Sequence, residues 1–300
     1  MFDIPMQSLM AQLLVGLING CFYAVLSMGL AIIFGLLNII NFAHGAQFMV
    51  AAFLAWIGFT QLPMLLGPEF KLNFWVMLVV APLIVGALGV LLEKTLLKRL
   101  YHLDHLYGLL LTFGVALILE GAFRHFYGIS GSSYDPPELL RGGVDLGFMF
   151  MPIYRGFVVV AALLICAVTW YLFEKTKLGA LLRAGTENPK LLQAFGVNIP
   201  LMITLTYGFG VALAGIAGVL AAPIMQITPL MGANLLNIVF AVVVIGGLGS
   251  IMGAILTGLA LGLLEGLTKV FYAEGSTVVV FVIMAIVLLL RPAGMFGKEK

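Results

Sequence analysis

The chain has 300 residues, of which 62% are hydrophobic and only 9% charged, with a formal net charge of +2. A soluble domain carries roughly 25% charged residues, and a water-facing surface could not be covered with so few. A soluble fold is therefore excluded, the small net charge gives no reason to invoke nucleic acid, and a mean hydropathy of +1.16 makes lipid the main solvent.

One crossing of a bilayer takes about 20 residues, so a single membrane domain over 1–300 has room for roughly eight to ten. The N-terminal stretch MFDIPMQSLMAQLL has no positive region and its first charge is Asp3. Leu9 onward therefore reads as a retained first helix rather than a cleaved signal. The apolar runs predict spans at Leu9–Leu36, Ala46–Gln61, Asn73–Leu92, Leu106–Tyr127, Gly156–Phe173, Met202–Ala222, Leu235–Gly247, Gly253–Thr268 and Val278–Leu290. The expected fold is all-α: a polytopic bundle of about eight or nine transmembrane helices. The stretches near 36–61 and 235–253 are short or broken by glycine, and read equally as full crossings or as re-entrant segments.

No Asp, Glu, Lys or Arg occurs from Ile4 to Pro68 or from Leu191 to Leu264. Turns inside those regions must be short and satisfied by protein. Elsewhere the loops carry basic residues: Lys94, Lys98 and Arg99; then Lys175, Lys177, Arg183 and Lys190; then Arg291, Lys298 and Lys300. The positive-inside rule places all three in the cytosol. The loop from Gly128 to Arg155 mixes both signs and falls outside. Nine crossings put the N-terminus outside and eight put it inside; charge does not choose between them.

Glycines recur every fourth residue at Gly16 and Gly20, at Gly249 and Gly253, and at Gly258, Gly262 and Gly266. That spacing lines small residues along one helix face and lets backbones approach. Asn38, Asn41, His44 and Gln47 gather polar side chains between two apolar runs. Polar groups at membrane depth usually face a bundle interior or an aqueous path, so these four are candidates to line a substrate path, while Asn41 and Gly45 equally suit the cap and turn of a broken helix. Glu120 with Arg124 and Glu265 with Lys269 have the spacing of interfacial ion pairs on a helix.

The loop of about 174–201 is the most informative stretch. Asn188 suits an N-cap and Pro189 the first helical position, while Gly196 suits the stop. A helix of about two turns, about 10 Å long, is predicted there. It lies in a basic loop yet shows Leu191, Leu192 and Phe195, so it needs either a groove or a membrane surface to bury them. The sequence contains no phosphate-binding loop of the G-x-x-x-x-G-K-[ST] type, no H-E-x-x-H and no clustered Cys/His set. No metal site and no enzyme activity are expected, and ATP hydrolysis would have to come from another chain.

With this loop in place the chain resembles the permeases of ABC importers. It is most similar to the H-type subunit of the branched-chain amino-acid (LIV-type) permeases, over nearly its whole length. The resemblance rests on Asn41-Phe42-Ala43-His44-Gly45, on Arg183-Ala184 followed by Glu187-Asn188 and Phe195-Gly196-Val197, and on Ala214 to Leu220. It rests also on Gly246-Gly247-Leu248-Gly249-Ser250-Ile251-Met252-Gly253-Ala254 and on Arg291-Pro292-Ala293-Gly294-Met295-Phe296-Gly297. It implies a multi-pass subunit of the bacterial inner membrane, paired with a second, M-type permease. Two cytosolic ATPases would bind ATP and magnesium and drive it, and an extracytoplasmic binding protein would deliver leucine, isoleucine or valine; this chain would hold no cofactor. Close relatives carry urea or short amides. A secondary transporter acting alone is the competing class, but would need an ion-coupling site that the scarce carboxylates do not supply. The resemblance also implies that Thr186, Glu187, Asn188, Pro189, Lys190, Leu191, Leu192, Phe195 and Gly196 form a coupling helix that docks in an ATPase groove. Met252 stands where many members have proline.

Overall fold

A backbone in lipid can satisfy its own polar groups only by closing them into helices, and this chain does so almost throughout. The computed structural model describes residues 6–37 and 40–297. In chain order the helices are α1 (Met6–Leu37), α2 (Ala43–Trp56), α3 (Leu62–Leu66), α4 (Phe74–Thr95), α5 (His105–Tyr127), α6 (Ile153–Lys175), α7 (Lys177–Glu187), α8 (Pro189–Ala194), α9 (Ile199–Ala221), α10 (Met231–Gly246), α11 (Ile251–Phe271) and α12 (Ser276–Leu290). Two three-residue strands, β1 (Gly143–Asp145) and β2 (Phe150–Pro152), form an antiparallel hairpin in the 128–155 loop.

Every predicted span has a helix. The break expected near 36–61 lies between α1 and α2. A π turn at Ile57–Gln61 joins α2 to α3, so that Ala43–Leu66 runs as one apolar stretch rather than a re-entrant piece. Such a turn adds a residue without ending the helix. Eight stretches are long and apolar enough to cross a membrane, while α10, with 16 residues, is shorter at about 24 Å.

Close contacts divide the chain into two units. One comprises the described parts of 1–28, 136–167 and 237–300; the other comprises 29–135 and 168–236. In the second unit α9 is the central helix, with α4 and α2 packed along it and α5 against α2. Small residues set the spacing. A Cβ on Gly86 would lie 3.1 Å from the Gly208 carbonyl, and one on Gly215 would lie 2.8 Å from Pro82 Cα. A Cβ on Gly45 would lie 2.5 Å from the Gly232 carbonyl, and one on Gly218 only 2.2 Å from that of Phe48.

In the first unit the N-terminal half of α1 packs on α11 through the predicted glycine stripe. A Cβ on Gly258 would meet the Ala24 amide at 2.6 Å, one on Gly262 would meet Gly20 Cα at 2.3 Å, and one on Gly266 would meet Gln12 carbonyl at 2.4 Å. Two members of the predicted packing set do something else. Gly249 is not helical; at φ +84° it turns the chain between α10 and α11, a conformation that a side chain disfavours. Gly253 sits in the first turn of α11, where a Cβ would strike the Gly246 carbonyl at 2.1 Å. The repeat of four runs across a turn there, so these two glycines do not continue the α1 seam. Ser250 caps α11 by accepting a hydrogen bond from the Gly253 amide at 3.0 Å, and Met252 is an ordinary residue of its first turn. Of the two expected ion pairs among the described residues, Glu265–Lys269 forms at 2.5 Å, while Glu120 and the exposed Arg124 interact electrostatically without a close salt bridge.

The last segment folds back on this turn. Met295 and Phe296 donate their amides to the Ile245 and Gly246 carbonyls at 2.8 and 3.1 Å. At the other end of α10, the Ile227 and Ser132 backbones exchange hydrogen bonds of 2.9 and 3.0 Å. Ser132 belongs to the mixed-charge loop, expected outside, and the tail to the basic set, expected in the cytosol, so a crossing by α10 would make nine and put Met6 outside. With single cysteines and an impermeant maleimide on intact cells, Gln7 and Ser133 should label and Thr186 should not. Labelling at Ser133 but not at Gln7 would mean that α10 fails to cross.

Candidate functional site

Two places gather the residues that the sequence singles out: the start of α2, and the arm formed by α7 and α8. At the first, Asn41 occupies the turn that enters α2. Its Oδ1 accepts from the Ala43 amide at 3.1 Å, and its side-chain amide donates to Gln47 Oε1 at 3.1 Å. One side chain thus satisfies a helix N-terminal donor, which has no partner within the helix, and fixes the residue one turn further on. The Phe42 amide donates to Thr112 Oγ1 at 3.1 Å, which ties the same turn to α5. Asn41, His44 and Gln47 are all buried, with Tyr207 of α9 beside Gln47. His44 packs against Gly29, where a Cβ would come within 3.1 Å of the imidazole. Asn38 lies outside the described residues. In this conformation the three described members of the set form a polar knot inside the helices, and Asn41 has the capping role.

The arm begins where α6 ends. Arg183 of α7 donates to the Phe173 carbonyl at 2.7 Å, closing the C-terminus of α6, and pairs with Glu174 at 3.5 Å. Both partners of that pair are about half exposed, so the pair adds little stability; the bond to the helix end positions the arm. Gly179, Leu182 and Gly185 are buried along one side of α7. Beneath it lies an apolar cavity of about 250 Å³ bounded by Phe173, Leu178, Leu182, Met202, Leu205 and Phe209. Side chains facing this open cavity have fewer protein contacts on that side.

Next comes α8. The Asn188 side chain accepts from the Leu191 amide at 3.0 Å, Pro189 opens the helix, and Gly196 closes it at φ +81°. The start, the stop and the length of about two turns agree with the sequence. Thr186 and Glu187 do not belong to it; they are the last residues of α7, a helix within the expected 174–201 loop. Leu192 turns inward, its Cδ2 3.6 Å from where a Cβ of Gly185 would be. Leu191 and Phe195, four apart and so on one face, are 56% and 77% exposed.

Sequence reasoning missed Glu93. It falls beside the basic residues at the C-terminal end of α4, yet it is only 1% exposed, and its carboxylate accepts from Tyr101 Oη at 2.5 Å and Thr204 Oγ1 at 2.6 Å. Burial together with this carboxylate pushes the Tyr101 phenol up from its ordinary pKa. Tyr101 is eight residues on and Thr204 111, and nothing local marks either as a donor to Glu93.

Over residues 12–289 the chain matches the family described as branched-chain amino acid transport system / permease component. The chain belongs to this family. Among curated relatives, the high-affinity branched-chain amino acid transport system permease protein BraD of Pseudomonas aeruginosa is 31% identical, over 96% of both chains. The corresponding permease protein LivH of Escherichia coli K12 is 27% identical over 96% of both. LivM of the same strain is 26% identical over 93% of this chain and 68% of its own. None of the solved structures matches. The permease is thus a multi-pass protein of the inner membrane and a transport subunit, and the exposed arm and the polar knot are features of a transporter.

Replacing Asn41 with Leu would leave the Ala43 amide and the buried Gln47 side chain without their partner, a loss of about 1–3 kcal/mol per group. The purified permease should melt at a clearly lower temperature and transport should fall. An unchanged melting temperature would show that the knot does not hold the α1–α2 turn.

Proposed function

We propose that this permease is one membrane half of an ATP-binding-cassette importer that carries leucine, isoleucine and valine across the inner membrane. An M-type permease supplies the other half, two cytosolic ATPases hydrolyse ATP, and an extracytoplasmic binding protein delivers the amino acid. The names of BraD, LivH and LivM support the substrate class, and the existence of two related permease proteins in one organism supports the pair.

The observation that carries the mechanism is α8. A short capped helix on the basic side of the chain shows two large apolar side chains to solvent, Leu191 and Phe195. Burying each in a protein groove contributes roughly 1.5–3 kcal/mol. The helix is rigid at both ends, capped by Asn188 and stopped at Gly196. Leu192 and Gly185 link it to α7, and only residues 195–198 separate it from α9. An ATPase groove that closes around α8 therefore pushes directly on α9, and the cavity under α7 gives the arm room to yield.

Phe195→Asp would bring an unpaired carboxylate into that groove, where a charge without a partner is costly. The ATPase subunits should then co-purify at a level lower by roughly tenfold or more, the factor that follows from 1.5–3 kcal/mol. Transport should fail although the permease still inserts. Undiminished co-purification with normal transport would show that α8 is not the ATPase contact.

A further inference from the structure

The proposed push on α9 must reach the other helices, and one buried group stands where it would be passed on. Glu93 lies near the C-terminal end of α4, at the cytosolic end of the seam that joins α4 to α9. Along that seam glycines make room for the partner helix: a Cβ on Gly208 would come within 2.5 Å of the Val90 side chain, one on Gly89 would lie 2.9 Å from the Val211 side chain, and one on Gly86 would lie 3.1 Å from the Gly208 carbonyl. At its cytosolic end, one turn of α4 beyond Gly89, the two oxygens of Glu93 are divided between two other pieces of chain. Oε1 accepts from Tyr101, just past the 97–100 turn, and Oε2 accepts from Thr204, in the second turn of α9. Among the described residues no cation lies within ion-pair distance of this carboxylate. Hydrogen bonds to a charged acceptor are shorter and stronger than neutral ones, and both distances are short. A group with this burial and no cation is retained at a cost unless its hydrogen bonds are kept.

We infer that Glu93 is a positioning residue for transport: it makes α4 and the 97–101 turn move with α9 when α8 is displaced. The inference rests on the reading of α8 as the ATPase contact. The short distance along the chain supports it. The α8–α9 link is pinned by Val197, whose amide donates to the Leu192 carbonyl at 3.3 Å, and by Asn198, which caps α9 by accepting from the Leu201 amide at 3.1 Å. Thr204 is the first α9 side chain after that cap to form a side-chain hydrogen bond with another helix. Beyond Glu93, α4 meets α2, and Tyr207 of α9 is close enough to interact with both the Glu93 carboxylate and Gln47 of the polar knot. The carboxylate is thus the first polar link between the arm and the helices that surround α9.

The test uses the whole complex in proteoliposomes, with ATP hydrolysis and amino-acid uptake measured together. Glu93→Ala should leave ATPase co-purification unchanged but lower uptake per ATP by roughly tenfold or more, since two hydrogen bonds to the carboxylate are lost together. Thr204→Val keeps the volume and removes one donor; Tyr101→Phe removes the other. Each should lower the same ratio by less, and these two variants carry the test if Glu93→Ala does not accumulate. A wild-type ratio in all variants that accumulate, or loss of the ATPases in step with loss of uptake, would overturn the positioning role. The reading of α8 fails separately, by retention of the ATPases in Phe195→Asp whatever Glu93 does.

Discussion

In lipid, two apolar helices gain nothing from leaving the solvent for each other, so they hold together only where their backbones can come close. Three seams here meet that constraint with glycine, whereas α2 and α5 pack through Phe53, Phe123 and Tyr127. Gly86, Gly89, Gly208 and Gly215 bring α4 onto α9; Gly45 and Gly232 bring the start of α2 onto α10; and Gly258, Gly262 and Gly266 bring α11 onto Gly16 and Gly20 of α1. The consequence is rigidity. With a Cβ excluded at these contacts, neighbouring helices have no side-chain layer to deform, and a displacement of one backbone passes to the next.

Several polar groups sit where this rigid packing stops. Asn41 caps the chain as it turns into α2, Ser250 caps it after the Gly247–Gly249 turn, and Asn188 and Asn198 cap the two helices of the cytosolic elbow. Glu93 marks the place where α4, its following turn and α9 separate. The permease therefore divides its work: glycine seams make stiff levers, and capped or hydrogen-bonded ends define where those levers begin. The arm of α7 and α8 differs from both, since a cavity lies beneath it and its apolar tip has no partner within the described chain.

Hydropathy made the spans legible, because a crossing needs a long uncharged run and the chain has little else. The cap, the proline and the glycine around residues 188–196 made α8 legible, because each acts through its own backbone. What could not be read depended on distant partners. Glu93 looks like one more charge in a basic loop, and its Thr204 donor is 111 residues away. The helix α7 is hard to read because its sequence, KLGALLRAGTE, is short, holds two glycines and has no side-chain cap; the spacing of Leu178, Leu181 and Leu182 along one face is the signal it offers. Gly249 was assigned to a helix seam because spacing by four does not reveal that a turn intervenes. The residues of the polar knot were recognised as a group, but which of them bonds to which required the fold.

The central claim is that this permease moves substrate only as part of an ATP-driven assembly. The direct measurement is accumulation of labelled leucine in proteoliposomes that contain this chain with an M-type permease, the two ATPases and the binding protein. The account predicts accumulation against a gradient when ATP is supplied, and none when any of those components or ATP is withheld. Accumulation by this chain alone, driven by a proton or sodium gradient without ATP, would contradict it.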